Sequence, residues 1–183
     1  MSKLHILGIC GSLREKSHNR TLLNYAASTL PAGVTLSIAD LSAVPFFNAD
    51  LTSKPEAVEQ LLVEFAKADA FWFACPEYNY SIAPALKNAL DWASREPNNQ
   101  LIAGKAAAIM GAGGGIGTSR AQYHLRQVGV FLDLHFVNKP EVFVNAFAAT
   151  SFDAEGQLID ARIQQSIAAQ CLALVQFANQ LKK

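Results

Sequence analysis

Cysteine is scarce in this chain: Cys10, Cys75 and Cys171 are the three in 183 residues. Their number is odd and their spacing fits no metal motif, which argues against a disulfide framework or a zinc site. A reducing cytoplasm is the compartment that suits such a chain. Charge is also sparse, at 16% of residues, and it balances, with 15 basic against 15 acidic side chains. There is no basic stripe, so nucleic acid is not an expected partner. No apolar run approaches the roughly 20 residues that cross a bilayer, so membrane insertion is not expected either. The apolar run near the N-terminus, Leu4 to Gly8, is short and has no small-residue cleavage site after it; it reads as a strand rather than a signal peptide. Repeats and low-complexity linkers are absent.

What is present is a high apolar content, 51%. That fits one domain over residues 1–183 with a sizeable core, or a core plus a hydrophobic subunit interface. Strand and helix patterns alternate. Leu4 to Cys10 is a buried-strand run ending at Gly11. A helix follows Asn19, with Leu22, Leu23, Ala26, Ala27 and Leu30 on one face and Pro31 as its stop. Val34, Leu36 and Ile38 alternate as a strand does. Pro55 opens a second helix, Ala70 to Cys75 forms the third strand, and Pro84 sits near the start of a third helix, where its missing N–H costs nothing. Lys105 to Met110 is the fourth strand, Thr118 or Ser119 caps a helix running to about Gly129, and Val130 to Val137 is the fifth strand. A last helix starts near Leu158. Five strand–helix units call for an α/β fold: a parallel five-stranded sheet with helices on both faces, a three-layer sandwich. Ligands of such sheets bind beyond the carboxyl ends of the strands. Residues 11–19, 76–83 and 111–118 lie at those ends and are expected to meet at one site.

The first of these loops reads as a phosphate cradle. It joins a strand to a helix N-terminus, where unpaired N–H groups and the positive end of the helix dipole favour an anion. Ser12 and Ser17 can add hydroxyl donors, Arg14 can pair with phosphate oxygens, and Asn19 can cap the helix. A capped loop with a solvated arginine is the plainer alternative. No Gly-Lys-Ser/Thr follows at Walker spacing. A low-molecular-weight phosphatase would need arginine six positions after its cysteine, where this chain has Lys16. The glycine run from Gly111 to Gly117 admits a dinucleotide reading, but the third glycine of that fingerprint falls on Ile116. His124 is expected to be structural.

Gly11-Ser12-Leu13-Arg14, with Ser17 and Asn19, resembles the first loop of the NADPH-dependent FMN reductase family, which includes bacterial quinone and chromate reductases. Pro76-Glu77-Tyr78-Asn79-Tyr80-Ser81 is similar to that family's second motif, Leu86 to Trp92 continues it, and Arg120 to Arg126 also fits. The likeness covers about residues 4 to 145 in order. It implies a flavodoxin-like sheet of order 2-1-3-4-5 and bound FMN, with NAD(P)H as the electron donor. It implies that Ser12, Arg14, Ser17 and Asn19 hold the FMN phosphate. Pro76, Glu77, Tyr78, Asn79 and Tyr80 would line the ring, with Ala112, Gly113 and Gly114 approaching it by backbone. Relatives often carry serine where this chain has Ala112, so any contact there is through the backbone. Cys10 and Cys75 each end a strand; with the first and third strands neighbours, as in a flavodoxin-like sheet, the two are expected close together behind the site, as packing residues or as a redox pair.

The implied reaction moves electrons from NAD(P)H through FMN to a quinone or another small acceptor, with chromate, azo compounds and free flavin also open. The cofactor carries the chemistry, so no general acid or base is assigned. Donors beside the polar edge of the ring would stabilise negative charge there, a task that suits the glycine-rich loop or the helix N-terminus after it. The resemblance also implies a homodimer or homotetramer whose contact near the flavin uses Arg120, Tyr123 and Glu141. The alternatives are a flavodoxin-type electron carrier, against which the balanced charge argues, and a flavin-binding module without turnover.

Overall fold

The structure is a computed structural model that describes residues 3–182. Four chain segments form a parallel sheet of order β2-β1-β3-β6. They are β1 (Leu4–Cys10), β2 (Val34–Ile38), β3 (Ala70–Ala74) and β6 (Ala106–Gly113). Two short strands, β7 (His135–Phe136) and β8 (Val142–Asn145), both pair with β6 and share the fifth position. A separate hairpin, β4 (Glu77–Tyr78) and β5 (Ser81–Ile82), follows β3. β1 and β3 are buried almost end to end, as strands covered on both faces must be.

Helices α1 (His18–Ser28) and α5 (Ala161–Leu181) cover one face of the sheet, packing Leu22, Leu23, Ile167 and Leu174 onto Ile6, Trp72 and Ala108. Helices α2 (Glu56–Lys67), α3 (Pro84–Ala93) and α4 (Ser119–Phe131) cover the other with Val58, Phe65, Leu86, Leu90 and Leu125. Pro84 occupies the first turn of α3, and α5 begins at Asp160, whose carboxylate caps Arg162 and Ile163. The layering is the one the alternating pattern predicts, and the strand order is the one the resemblance implies.

Three expectations need correction. The fifth strand does not run from Val130 to Val137. Helix α4 continues to Phe131, leaving Val130 and Phe131 81% and 78% exposed, and Asp133 then reverses the chain with φ 54°. Phe136 turns inward against α4 at Gly129; a Cβ there would lie 2.1 Å from the ring, so only glycine admits the approach. The ladder breaks at Pro140, which has no N–H to give, and resumes at Val142. Second, β6 does not end at Met110: Gly111, Ala112 and Gly113 pair with Phe143, Val144 and Asn145. Third, Cys10 and Cys75 are not neighbours across a common face. Cys10 is level with Ala74, so Cys75, one residue on, points to the opposite side, and the two thiols lie in different cores. All three cysteines are buried and free; burial raises each thiol's pKa, that of Cys75 to about 12.

The break in the fifth strand is bridged by Gln170 from α5. Its Nε2 donates to Ile109 O (3.0 Å) and Pro140 O (2.7 Å), and its Oε1 accepts from Trp72 Nε1 (2.8 Å). Gln170→Leu would leave the buried Trp72 N–H without its acceptor and withdraw the amide from two carbonyls, at a cost of about 3 kcal/mol. The expected result is a melting temperature lower by roughly 5–10 °C. An unchanged melting temperature would show that these groups find other partners.

Candidate functional site

The three loops predicted to meet do lie together at the carboxyl edge of the sheet. In the first, Ser17 rather than Asn19 is the N-cap of α1, its Oγ accepting from Arg20 N. Ser12 Oγ accepts from Arg14 N at 3.4 Å. A hydroxyl carries one donor besides its acceptor sites, so both buried serines keep an O–H to give to an anion. The first turn of α1 contains no acidic side chain. Arg14 is exposed and reaches only Lys16 O, at 3.3 Å. His18 stacks on Phe152 at 4.0 Å; burial first, and Arg14 second, push its pKa down, so it is neutral at pH 7. Hydroxyls, a helix N-terminus and one guanidinium make a donor set that suits an anion such as phosphate.

Asn19 lies inside α1 and does a different job. β3 stops at Ala74, opposite Met110, and Cys75 N still donates to Met110 O. The next β6 residue facing that side is Ala112, which pairs with Val144 on its other edge but has no strand beside it on the β3 side. Asn19 fills the gap: its Nδ2 donates to Ala112 O and its Oδ1 accepts from Ala112 N, both at 2.9 Å. One side-chain amide thus ties the phosphate loop's helix to the strand that leads into the glycine-rich loop. Both backbone groups of Ala112 are engaged in this exchange.

The second loop is a two-residue hairpin in which Asn79 (φ 49°) and Tyr80 (φ 67°) are both left-handed. This is the turn that matches strand twist, but tyrosine is a costly residue for it. Arg120 compensates by laying its guanidinium 3.6 Å above the Tyr80 ring. The same guanidinium pairs with Glu77, whose carboxylate is nearly buried (Nη2 to Oε1, 2.7 Å). Glu77 Oε2 also accepts from Ala121 N, so it caps α4, a task that Thr118 leaves undone. Within one chain Arg120 bonds the hairpin, while Tyr123 and Glu141 bond each other at 2.9 Å. The Lys139 ammonium and the Tyr123 hydroxyl hold the Glu141 carboxyl below its usual range. His124 bonds Ser81 on β5 at 3.0 Å, a structural role.

The third loop leaves β6 after Gly113 and closes on itself, Gly117 N donating to Gly114 O at 2.8 Å. Gly117 has φ +66° and touches β8 so closely that a Cβ would meet Phe143 at 2.8 Å. Gly114 and Gly115 face open space. A cleft of about 420 Å³ lies between this loop and Glu77, Asn79 and Tyr80. A polar cleft of about 400 Å³ adjoins Arg14, Ser17 and His18, and an apolar one of about 540 Å³ opens beside Gly11 and Tyr78. The residues present thus fit FMN: hydroxyl and guanidinium donors at one end, and at the other a slot between the hairpin side chains and a glycine loop whose backbone is bare at Gly114, Gly115 and Gly117.

The Asn19 clamp can be tested by Asn19→Leu, which keeps the volume but strands two buried backbone groups. We expect a loss of about 3 kcal/mol, seen as a lower urea midpoint at unchanged slope. Wild-type stability in this variant would show that the exchange with Ala112 contributes nothing.

Comparison with known proteins agrees with this geometry. The sequence pattern of the NADPH-dependent FMN reductase family matches residues 4–149. The NAD(P)H:quinone oxidoreductase of Solanum tuberosum is 50% identical, over 98% of this chain and 95% of its own. The NAD(P)H-dependent FMN reductase of Pseudomonas aeruginosa is 47% identical, over 98% and 97%. Among solved structures, the flavoenzyme NAD(P)H:acceptor oxidoreductase FerB from Paracoccus denitrificans superposes with a TM-score of 0.86 at 27% identity, covering 97% of this chain and 98% of that one. The chain belongs to the NADPH-dependent FMN reductase family.

Proposed function

We propose that this chain is an FMN-dependent oxidoreductase that takes electrons from NAD(P)H and delivers them to quinones. Bound FMN supplies the two-electron chemistry; the protein binds and orients. The observation that carries the reading is the shared edge: a phosphate-type donor set and a ring-wide slot lie on one side of one sheet, tied together by Asn19 and Ala112.

In this proposal Ser12, Ser17 and Arg14 hold the phosphate, and Asn19 positions their helix. Pro76, Asn79 and Tyr80 form one wall of the ring slot, kept in shape by Glu77 and Arg120. Gly113 and Gly114 open the other wall, and Ala112 supports it from behind. The N-terminus of α4 already meets the Glu77 carboxylate, so donors for the polar edge of the ring come from the glycine loop. A quinone or chromate, an azo compound or free flavin could reach such an open slot. The carrier alternative expects an acidic surface, which the zero net charge does not provide. Tyr123, Val130 and Phe131 lie exposed along one side of α4 and suit contact with a second copy. The three buried thiols suit a reducing, cytoplasmic setting.

Purified protein mixed with FMN, NADPH and a benzoquinone should oxidise NADPH at a rate that depends on the quinone. A rate no greater than that of free FMN would reject the enzyme reading and favour the carrier. Arg14→Ala should weaken FMN binding by about 1.5–3 kcal/mol, a charge-assisted bond being lost, with the dissociation constant read by flavin fluorescence quenching. An unchanged constant removes Arg14 from the phosphate site.

A further inference from the structure

Beside the site lies an apolar cleft that shares Arg14 and Tyr78 with the residues assigned to FMN and otherwise extends away from them. It measures about 540 Å³ and is lined by Leu13, Leu41, Val44, Phe46, Pro84 and Ala85. Arg14 and Tyr78, one from each of the first two loops, stand at its inner end. Phe46 forms its lip and is 76% exposed. An exposed phenylalanine on a loose loop would mean little, but this loop is pinned on both sides of it. Asn88 Nδ2 and Trp92 Nε1 both donate to Pro45 O, at 2.9 and 2.8 Å. Asn88 Oδ1 accepts from Phe47 N at 2.8 Å, and the Phe47 ring packs edge-on against Trp92, 5.1 Å between centroids. Pro45 and Phe47 are therefore fixed while Phe46 between them faces solvent over a cavity.

The lining decides the occupant. Arg14 is its one charged residue, and Asn88 has committed both amide atoms to the loop. The pyrophosphate and adenosine of a dinucleotide would meet hydrocarbon there. An alkyl chain would bury apolar surface at every contact, at about 25 cal/mol per Å². We infer that this cleft seats the hydrocarbon substituent of a tailed quinone, with the quinone head held at the Tyr78 end beside the ring slot. The inference rests on the quinone-reductase reading above and adds the class of acceptor: quinones carrying an alkyl or prenyl tail.

The test compares a methyl-substituted benzoquinone with the same ring bearing a decyl chain, on the FMN-loaded enzyme. Wild type should favour the decyl compound in kcat/KM and bind it with a negative heat-capacity change in calorimetry. Phe46→Ser removes the lip, and Ser42→Trp, at an exposed position on the cleft wall, fills the space. Each should cut that preference about tenfold, equivalent to about 1.4 kcal/mol. Turnover of the untailed quinone and FMN content should stay at wild-type levels. Equal kcat/KM for the two quinones in wild type, or a preference that survives both substitutions, overturns the inference. So does a Phe46→Ser protein that keeps its preference but sediments as a smaller assembly, which would assign the cleft to a second copy of the chain. If wild type reduces neither quinone, the broader reading has failed, and calorimetric binding of the decyl compound fails separately.

Discussion

The exchange of two hydrogen bonds between Asn19 and Ala112 holds the site in register. A parallel sheet whose middle strand stops early leaves its neighbour with a bare N–H and C=O, and buried backbone groups without partners are costly. Here the missing strand residue is replaced by a side chain from a helix. Because that helix starts at the first loop and the strand ends at the glycine loop, satisfying the ladder also sets the distance between the two halves of the candidate site. Its buried location shields the exchange from competing water.

The second loop is held by a different logic. Two successive left-handed residues make a tight turn that tyrosine does not favour, and its retention calls for outside support. Arg120 provides it from above, and Glu77 anchors Arg120 from below while capping α4. One carboxylate thus serves a helix end, a guanidinium and a hairpin. The family resemblance groups Arg120 with Tyr123 and Glu141, yet within one chain the guanidinium is spent on the hairpin.

Much of the fold was legible in the sequence because burial on both faces writes itself as apolar runs: Leu4 to Cys10 and Ala70 to Ala74 are strands where they were expected. Pro84 and Pro55 marked helix starts for the reason proline always does. The fifth strand was misplaced because Val130 to Val137 is apolar enough for a strand, whereas the turn at Asp133 and the fit of Phe136 onto Gly129 are tertiary facts. Local sequence shows that Asn19 can cap a helix; it does not show that a strand end 93 residues away has a gap of its shape. Likewise Glu77 reads as a loop residue until α4, 44 residues on, is seen to begin beneath it. The motifs located the site, and long-range pairing assigned the work within it.

The placement of the sulfur atoms matters for the chemistry proposed. Quinones are electrophiles, and they arylate accessible thiolates by conjugate addition, a route by which such compounds poison proteins. A thiol hidden from solvent and kept protonated offers them no nucleophile. With Cys10 and Cys75 turned into opposite cores just behind the loops, and Cys171 on the buried face of α5, the chain can meet reactive acceptors turn after turn without being consumed by them.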